Sequence, residues 1–576
     1  MRTKKYILAA VAATSLMLGA SSCSDSFLDE HPQSSYLPND PASIESYLQG
    51  LHYIYGQLWG TSGQQGFISC WQIGTDVASA GATQGVEVPF YQYAELNSEN
   101  AGVDIFWKKS YSIINNANMI IKFEGEDGDK AAIGEAKFFR AYMYNQLVTL
   151  YGGVPLKTDP TEAETGAGTA FTRADVATVD ALILSDLRYA ATNLPEDGKT
   201  ESRANKYMAL QALGEVLLRI GQRTNETAYY KAAEDTLSAV INAGGGTRFA
   251  LITERYGDTK VAGDYYSDMF KWGKQRRSQG NTEAIWTYEM EYNRNVVGGT
   301  IDNPQHRRIW VPSFHKRDGM INADSLGGRG NGRLRLSNWV KYNLYEEGDI
   351  RNSRYNIRRE LYYNKPGWSS TIGIDKDGWQ VDLKLKDESD NPAVVERRAV
   401  KTGSRFVPYS TDSIEVFSPY TMKWGCYDEK DDFGYACVKD WPVMRLGETY
   451  LLRAEARFRE GNAQGAAEDI NVLRDRAFKA YRLESGNANA GKVSSGEITM
   501  DFILDERARE LVAEENRRMT LVRTGTLLER AKLNTDAARP ITNLKAFNQL
   551  LPIPLTERQL NKDAKLDQNP EYVDAE

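Results

Sequence analysis

Few residues in this chain have the types and spacing that catalysis requires. Its 576 residues include only four histidines, at positions 31, 52, 306 and 315, and none stands in an H-E-x-x-H zinc motif. The sequence also lacks the G-x-S-x-G turn of serine hydrolases and the phosphate-binding P-loop. Metalloprotease, serine-hydrolase and nucleotide-hydrolase functions are therefore disfavoured. Glycoside hydrolysis stays open, because its paired carboxylates have no fixed spacing in sequence.

Cys23 is the residue with the clearest covalent chemistry. Three cations within residues 2–5 precede an apolar run over 6–18, and small residues at 19–22 lead to the thiol. This order is typical of a signal peptide that ends at an acylated cysteine. A transmembrane anchor is the alternative, but the apolar run is shorter than the roughly 20 residues that a bilayer span needs. We expect removal of residues 1–22 and a lipid on Cys23 that anchors the chain without spanning the membrane.

The charge of the chain limits its partners. Its formal net charge is −8, and the signal peptide contributes three of the cations. A surface this acidic repels nucleic acid and anionic lipid, so neither is an expected partner. Asp25, Asp29 and Glu30 follow soon after Cys23. They form either a solvated tether or a sorting signal, because they resemble the signals that send some Gram-negative lipoproteins to the outer face of the outer membrane.

Three cysteines remain besides Cys23, and none forms a C-x-x-C pair. Structural zinc and thioredoxin-like chemistry are therefore not expected. Cys426 and Cys437 are close enough in sequence for a disulfide in an oxidising compartment, and two buried thiols are the open alternative. The acidic residues of 428–432 form either a solvated turn or a structural Ca²⁺ site that lacks the glycine and final glutamate of an EF-hand. Apart from this Ca²⁺ alternative, we expect no metal and no cofactor.

Apolar residues recur at helical spacing through the first part of the chain. Asp40 and Pro41 predict the start of the first helix, and Thr172 with Asp175 predicts a capping box before a later one. Glycines at 244–246 predict the end of the last helix. The predicted helices cover residues 41–59, 107–121, 136–147, 172–193, 205–220 and 227–242.

The helical pattern returns late in the chain. Residues 444–460 and 464–480 read as two helices joined by Gly461 and Asn462, with alanines at the close contact, which is typical of a tetratricopeptide hairpin. A third helix is predicted from Ile503. Its apolar stripe comprises Leu504, Ala508, Leu511, Met519 and Val522, and its predicted ion-pair ladder comprises Arg507, Glu510, Glu514 and Arg518.

The residue pattern of the sequence changes between about residues 256 and 440. Glycines, aromatic residues and short β-prone runs such as 284–288 alternate with turn-rich stretches. We predict a mainly α fold, in which tetratricopeptide-like helical hairpins form a frame that carries a loop-rich insertion with short β-strands. The predicted regions are 23–255 for the N-terminal helices, 256–440 for the ligand-binding insertion and 441–576 for the C-terminal helices.

Several segments in order resemble the SusD/RagB family of outer-membrane nutrient-binding lipoproteins, and the resemblance covers nearly the whole mature chain. One departure is Met519-Thr520-Leu521, where the family usually has an aspartate before the leucine. It lies in a structural helix and bears on no ligand residue. The matching segments are Cys23 with its acidic residues, WKKSYSIINNAN from Trp107, EAKFFRAYMYNQLVTLYGGVPL from Glu135, FTRADVATVDALILSDL from Phe171, VMRLGETYLLRAEAR from Val443, ILDERARELVAEENRR from Ile503 and LLPIPLTERQLNKDAKLDQNPEY from Leu550.

The resemblance implies a SusD-like fold, with a tetratricopeptide-like frame and a variable ligand surface. It also implies an outer-membrane position facing the cell exterior, and a SusC-like TonB-dependent transporter over which the protein sits as a lid. Members of the family capture oligosaccharides, or peptides in some cases, and are not enzymes. We therefore predict a lipoprotein that binds glycans and delivers oligosaccharides to that transporter. A peptide-capturing member of the family and a surface glycoside hydrolase are the alternatives.

Aromatic residues are the candidate ligand contacts, because the C–H faces of pyranose rings pack on aromatic rings and the chain has 32 tyrosines and 11 tryptophans. Any of these rings could equally belong to the core. Trp286 and Trp339 are assigned to the core. The predicted ligand-binding residues are Trp71, Phe90, Tyr91 and Tyr93 before the Trp107 helix, and Arg307, Trp310, Phe314 and His315 in the insertion.

Overall fold

The computed structural model describes residues 41–60, 65–161, 170–290, 305–381, 393–409, 417–426 and 439–572. Helices dominate these residues and the strands are short, which confirms the mainly α fold. Long helices lie before residue 242 and after residue 445. The intervening residues that the structure describes hold short strands, short helical turns and loops. The helical frame is therefore built from two stretches of chain that are far apart in sequence.

Side-chain caps explain where the first helices begin. Asn100, Asp175 and Asn205 each accept hydrogen bonds from backbone N–H groups of the first helical turn. Asp175 is itself the N-cap, so the predicted capping box that begins at Thr172 is wrong. The helices are α1 Pro41–Gly60, α2 Gly66–Ser69, α3 Ala101–Glu124, α4 Lys130–Tyr151, α5 Val176–Asn193, α6 Lys206–Thr224 and α7 Thr227–Ile241, with a helical turn at Ala243–Gly246.

The frame continues across the insertion. Helices α3 to α7 pack each against the next, and α7 packs against the first long helix after the insertion, Leu446–Arg459. Gly214 and Gly221 of α6 allow the close approach of α7, since a side-chain carbon there would lie 2.6 Å from Leu237 and 2.7 Å from Tyr230. The later helices are α8 Tyr265–Asp268, α9 His306–Trp310, α10 Asn338–Tyr342, α11 Leu446–Arg459, α12 Ala463–Ala477, α13 Lys479–Ser485, α14 Met500–Leu511, α15 Arg517–Arg523, α16 Leu527–Ala531 and α17 Leu555–Leu560.

The helix predicted from Ile503 is broken into two. α14 ends at Leu511, and Ala513 has a φ of +67°, a backbone conformation that residues other than glycine rarely adopt. Asn516 then caps α15 by accepting a hydrogen bond from the Met519 N–H at 3.1 Å. The predicted apolar stripe is therefore divided between two helices.

The predicted ion-pair ladder of α14 is also wrong, because its charges pair across the fold. Glu510 accepts hydrogen bonds from Arg445 at 2.5 Å, from Arg351 at 3.0 Å and from Arg476. Burial alone would raise the pKa of Glu510, but the guanidiniums of Arg476, Arg445 and Arg351 hold this pKa well below its usual range. Carboxylates of α14 thus join the C-terminal helices to the insertion.

Short antiparallel strands organise the insertion. The strand at Ala284–Tyr288 pairs with the strand at Trp441–Arg445, and this pairing joins the two ends of the insertion. Within the insertion, the strand at Ser369–Ile374 lies between two others. The ring of Tyr55 stacks against Trp286 and Trp441, with centroids 5.2 and 5.8 Å away. Trp286 is fully buried there, and Trp339 packs partly buried against the same core. The strands are β1 Ala78–Ala80, β2 Ala284–Tyr288, β3 Leu334–Leu336, β4 Ile357–Arg358, β5 Ser369–Ile374, β6 Gln380–Val381, β7 Glu396–Lys401, β8 Tyr420–Thr421 and β9 Trp441–Arg445.

The segment from Leu551 to Asn569 returns to the N-terminal helices. Leu551 donates its N–H to the Leu150 carbonyl at 2.7 Å. The Asn569 side chain donates to the Tyr151 carbonyl at 2.9 Å and accepts from Arg173 at 2.7 Å. We call residues 551–569 the C-terminal strap. It satisfies carbonyl groups at the end of α4 that a helix leaves unpaired.

Candidate functional site

A cavity of about 90 Å³ lies where the frame meets the insertion. Trp71 and Trp310, two of the predicted ligand-binding residues, line it together with Tyr55 and Trp441. Ligand pockets usually measure roughly 300–1,000 Å³, so this cavity is too small for a sugar ring. Its volume suits a few ordered waters. The structure thus brings two predicted residues together, but in an interior space.

Polar groups on the cavity wall are held by the frame. The Glu448 carboxylate accepts hydrogen bonds from Arg507 and Gln211, both at 3.0 Å. Burial raises the pKa of Glu448 to about 7, against the opposing charge of Arg507 and with further repulsion from Glu215 and Glu515. Hydrogen bonds within the frame therefore account for the position of these polar groups.

Phe90, Tyr91 and Tyr93 are buried in the main core. The Arg518 guanidinium lies over the rings of Phe90 and Tyr93, 5.2 and 5.4 Å from their centroids. Arg518 also donates to the Phe90 carbonyl at 3.0 Å and to the Tyr93 hydroxyl at 2.5 Å. These predicted sugar-stacking rings turn inward against a buried cation, which is the core alternative that the sequence left open. Their contact with a ligand stays a prediction.

The predicted ligand-binding residues around Trp310 lie at different places inside the protein. Phe314 is buried in a second apolar core formed by the insertion, and Arg307 is buried and donates to the Cys426 carbonyl at 2.9 Å. His315 is half-buried beside Phe314, with ring centroids 6.3 Å apart. Seven of the eight predicted ligand-binding residues are therefore buried, and their role in binding stays a prediction.

Two exposed tyrosines of the insertion were not among the residues predicted from the sequence. Tyr342 is 67% exposed and Tyr362 is 46% exposed. Tyr355 is half-buried and bonds Arg354, whose charge acts on Tyr362. We call Tyr342, Tyr355 and Tyr362 the tyrosine surface. Burial alternates along 360–363, where Leu361 and Tyr363 point inward and Tyr362 points outward. The sequence Glu360-Leu361-Tyr362-Tyr363 does not itself alternate between polar and apolar residues, so it carries no signal that separates the exposed Tyr362 from the buried Tyr363.

Backbone pairing fixes the outward direction of Tyr362. The Phe406 N–H donates to the Leu361 carbonyl at 2.8 Å, and the Tyr363 N–H donates to the Ser404 carbonyl at 3.0 Å. Inward, Tyr363 stacks on Trp368 with centroids 4.4 Å apart. Outward, the Tyr362 hydroxyl donates to Glu360 at 3.0 Å. An exposed ring edged by hydrogen-bonding groups can pack on a sugar face and bind its hydroxyls.

Tyr342 ends α10 and is held by a different contact. Ser337 caps the start of this helix by accepting a hydrogen bond from the Val340 N–H at 3.2 Å. Arg359 donates to the Lys341 carbonyl at the helix end, at 2.8 Å. Because Arg359 and Tyr362 are three residues apart in an extended segment, they are within about 10 Å along the chain. The tyrosine surface thus comprises the end of α10 and residues on both sides of β4.

Several predicted features fall outside the described residues, namely Cys23, Cys437 and the acidic residues of 428–432. Cys426 is buried, and its disulfide stays a prediction. In the part of the chain that the structure describes, no group of three or more His, Cys, Asp or Glu side chains is arranged to hold a metal ion. No helix among the described ranges is both long and apolar enough to cross a bilayer.

Two family models match the chain. The SusD family model matches residues 282–572, and a model described as starch-binding associating with outer membrane matches residues 26–218. A SusD-like protein of Formosa agariphila is 26% identical over 574 residues, which cover 95% of each chain. The starch-binding protein SusD of Bacteroides thetaiotaomicron is 33% identical over 169 residues, which cover 28% of each chain.

Solved structures have the same fold. Surface glycan-binding protein A from Bacteroides fluxus superposes with a TM-score of 0.64 at 19% identity, covering 93% of this chain and 100% of that one. Surface glycan-binding protein A from Bacteroides thetaiotaomicron, in complex with laminarihexaose, gives a TM-score of 0.63 at 16% identity, covering 92% and 99%. Since the family model also spans half of the sequence, this chain belongs to the SusD family.

Proposed function

We propose that this protein captures oligosaccharides at the outer membrane, without cleaving them, and passes them to a SusC-like TonB-dependent transporter. The observation that carries the proposal is the tyrosine surface, where Tyr342 and Tyr362 present rings to solvent on a SusD-family frame. Aromatic faces with polar groups at their edges suit sugar rings, which have apolar C–H faces and hydroxyl rims. The names of the starch-binding relative and of the laminarihexaose complex support the same ligand class.

Binding without catalysis is the second part of the proposal. Glycoside hydrolysis requires two carboxyl groups on opposite sides of a scissile bond. Glu215, Glu448, Glu514 and Glu515 are near one another, but the space beside them is about 90 Å³, which a glycosidic linkage between two sugar rings does not fit. On the tyrosine surface, Glu360 is the carboxylate that bonds Tyr362. These arrangements favour retention of a glycan over its hydrolysis.

Lipid anchoring on Cys23 is the third part of the proposal. The thiol follows a signal-peptide pattern, and several acyl chains on one cysteine give stable membrane residence. The second matching family model is described as associating with the outer membrane, which supports this location. Cys23→Ala should abolish labelling by a palmitate analogue and release the protein from the membrane fraction. Unchanged labelling would contradict the anchor.

The ligand class can be tested with soluble protein that starts at Ser24. Its migration in native gels should be retarded by a polysaccharide in the gel, and prolonged incubation should release no reducing sugar. Steady release of reducing ends would contradict a binding function. Binding to a peptide mixture, with no retardation by any polysaccharide, would indicate that the ligand is a peptide and not a glycan.

The transporter partner has a separate test. A SusC-like barrel should co-purify with the affinity-tagged protein after mild detergent extraction of membranes. The Cys23→Ala variant provides the control for membrane placement, because it keeps the fold but lacks the anchor. Purification of the tagged protein alone, under conditions that preserve other outer-membrane complexes, would contradict the partnership.

A further inference from the structure

We propose that the tyrosine surface is selective for acidic glycans, meaning chains that carry carboxylate or sulfate groups. This inference rests on the proposed function and adds the chemical class of the ligand. It starts from the arginines that accompany the rings. Arg354 and Arg359 are exposed beside the tyrosines, and Arg405 lies opposite Tyr362 in the backbone pairing.

The arginines of this surface make few internal bonds. Arg354 donates through Nη2 to the Tyr355 hydroxyl at 2.8 Å, and its guanidinium carbon lies 4.9 Å from the centroid of that ring. Among the residues that the structure describes, Arg359 donates one hydrogen bond, to the Lys341 carbonyl. An arginine has five N–H donors in a planar fork, so most of the donors of Arg354 and Arg359 remain available to a ligand.

The local balance of charge favours an anion. Glu360 is the carboxylate that bonds the tyrosine surface, and it lies 3.6 Å from Arg405. Arg354 and Arg359 are paired with a hydroxyl and a carbonyl, which do not cancel their charges. The chain has a formal net charge of −8, so its surface in general repels anions. A cationic patch on this background can attract an acidic chain to one location.

The chemistry of the patch fits an acidic sugar in particular. A guanidinium binds carboxylate or sulfate through two parallel hydrogen bonds, and a tyrosine ring packs on the C–H face of the same residue or its neighbour. Arg354 with Tyr355 and Arg359 near Tyr342 repeat this combination twice. The pairing of cation and ring favours a polymer with regularly placed charges over a single small anion.

The first experiment is affinity electrophoresis of soluble protein from Ser24. Polygalacturonate, alginate, chondroitin sulfate and heparin would be compared with laminarin, starch, inulin and highly methyl-esterified pectin. At least one acidic polymer should retard the protein more than every neutral polymer does. Retardation by neutral polymers alone would overturn the inference and leave the proposed function in place. If neither the acidic nor the neutral polymers retard the protein, the result would contradict both this inference and the proposed function.

The second experiment assigns the binding to the patch. A variant with Arg354→Gln and Arg359→Gln should lose about tenfold or more in affinity for the acidic polymer at 50 mM salt. Raising the salt to 500 mM should weaken the unmodified protein more than this variant, since fewer charged contacts remain to be screened. Arg188→Gln, on an exposed position of α5, is the matched control and should bind as the unmodified protein does.

Unchanged affinity in the double variant would overturn the inference, as would binding that is insensitive to salt. Thermal unfolding of each variant supplies the folding control. Both substituted side chains are exposed, so the unfolding temperature should stay the same. A lowered temperature would call for Arg354→Lys and Arg359→Lys. Lysine keeps the positive charge but lacks the planar set of N–H donors of arginine. These two variants should therefore retain part of the affinity for the acidic polymer if the patch acts as proposed.

Discussion

Arginine has two different settings in this protein. In the frame, Arg351, Arg445 and Arg476 are almost fully buried, and each bonds carboxylates of Glu283, Glu506 or Glu510. On the tyrosine surface, Arg354 and Arg359 are exposed and bond a hydroxyl and a carbonyl. A charge removed from water must be balanced by an opposite charge, whereas an exposed charge need not be. The same side chain is thus structural in one region and available to a ligand in the other.

Aromatic residues repeat this contrast. Tyr55, Trp286 and Trp441 stack in the core, where their ring faces cover one another. Tyr342 and Tyr362 have ring faces open to solvent. Ring content alone therefore does not locate a glycan site in this fold. The setting of the ring decides whether it stabilises the protein or contacts a ligand.

Removing a carboxylate from the buried network should have the largest effect. Glu510→Ala leaves Arg351, Arg445 and Arg476 without a shared partner, and loss of one member of a buried ion pair typically costs about 3–5 kcal/mol. Urea denaturation followed by circular dichroism measures this change. Glu529→Gln is the control, because its pair with Lys532 is exposed and should change stability by less than about 0.5 kcal/mol. If both variants lowered the free energy of unfolding by the same amount, buried and exposed ion pairs would not differ in their contribution to stability.

Trp310 tests whether a buried ring is structural. Trp310→Ala should lower the free energy of unfolding by about 3–5 kcal/mol, because the ring is buried beside the central cavity. Trp272→Ala removes a tryptophan that is 57% exposed and should change stability by less than about 0.5 kcal/mol. A folded, equally stable Trp310→Ala protein with weakened glycan binding would instead make Trp310 a ligand contact.

Acid should weaken the frame through the same carboxylates. Burial alone would raise the pKa of Glu506, but Arg351, Arg509 and Arg474 lower it to about 2. This is below the roughly 4.3 of an unfolded glutamate, so its contribution to stability is complete above about pH 5 and is lost as the pH falls toward 2. Urea midpoints at pH 7 and pH 3 should differ less for Glu506→Gln than for the unmodified protein. The same pH dependence in both would contradict this assignment.

The exposed rings should show the smallest energies, and only in binding. Tyr342→Ala and Tyr362→Ala should each weaken binding of the retained glycan by about 1 kcal/mol, measured by titration calorimetry. Unfolding should be unaffected, since both rings are exposed. Tyr53→Ala, at a 55% exposed position of α1, is the matched control. A loss of affinity as large for Tyr53→Ala would mean that the tyrosine surface is not the site.

Local signals predicted much of the frame. The glycine and asparagine at 461 and 462 correctly placed the turn between α11 and α12, and Asn462 caps α12. The predicted ends of α1, α5 and α7 lie within one residue of the observed ends. These features depend on interactions between residues a few positions apart, which the sequence displays directly.

Features that depend on distant residues were not predictable in this way. The partners of Glu510 come from positions 351, 445 and 476, and no spacing in the sequence relates them. The left-handed conformation at Ala513 has no glycine to announce it. The burial of Phe90 and Tyr93 depends on Arg518, more than 420 residues further along the chain. Exposure of a ring is decided by the tertiary fold, so the site was harder to predict than the frame.

The C-terminal strap has a consequence for the order of synthesis and folding. Asn569 bonds the carbonyl of Tyr151, 418 residues earlier in the chain. At roughly 5–20 residues per second, the end of α4 waits about 20–80 s for this partner. This contact at the end of α4 therefore forms only after almost the whole chain has been made, although the N-terminal helices that pack on α4 are complete much earlier.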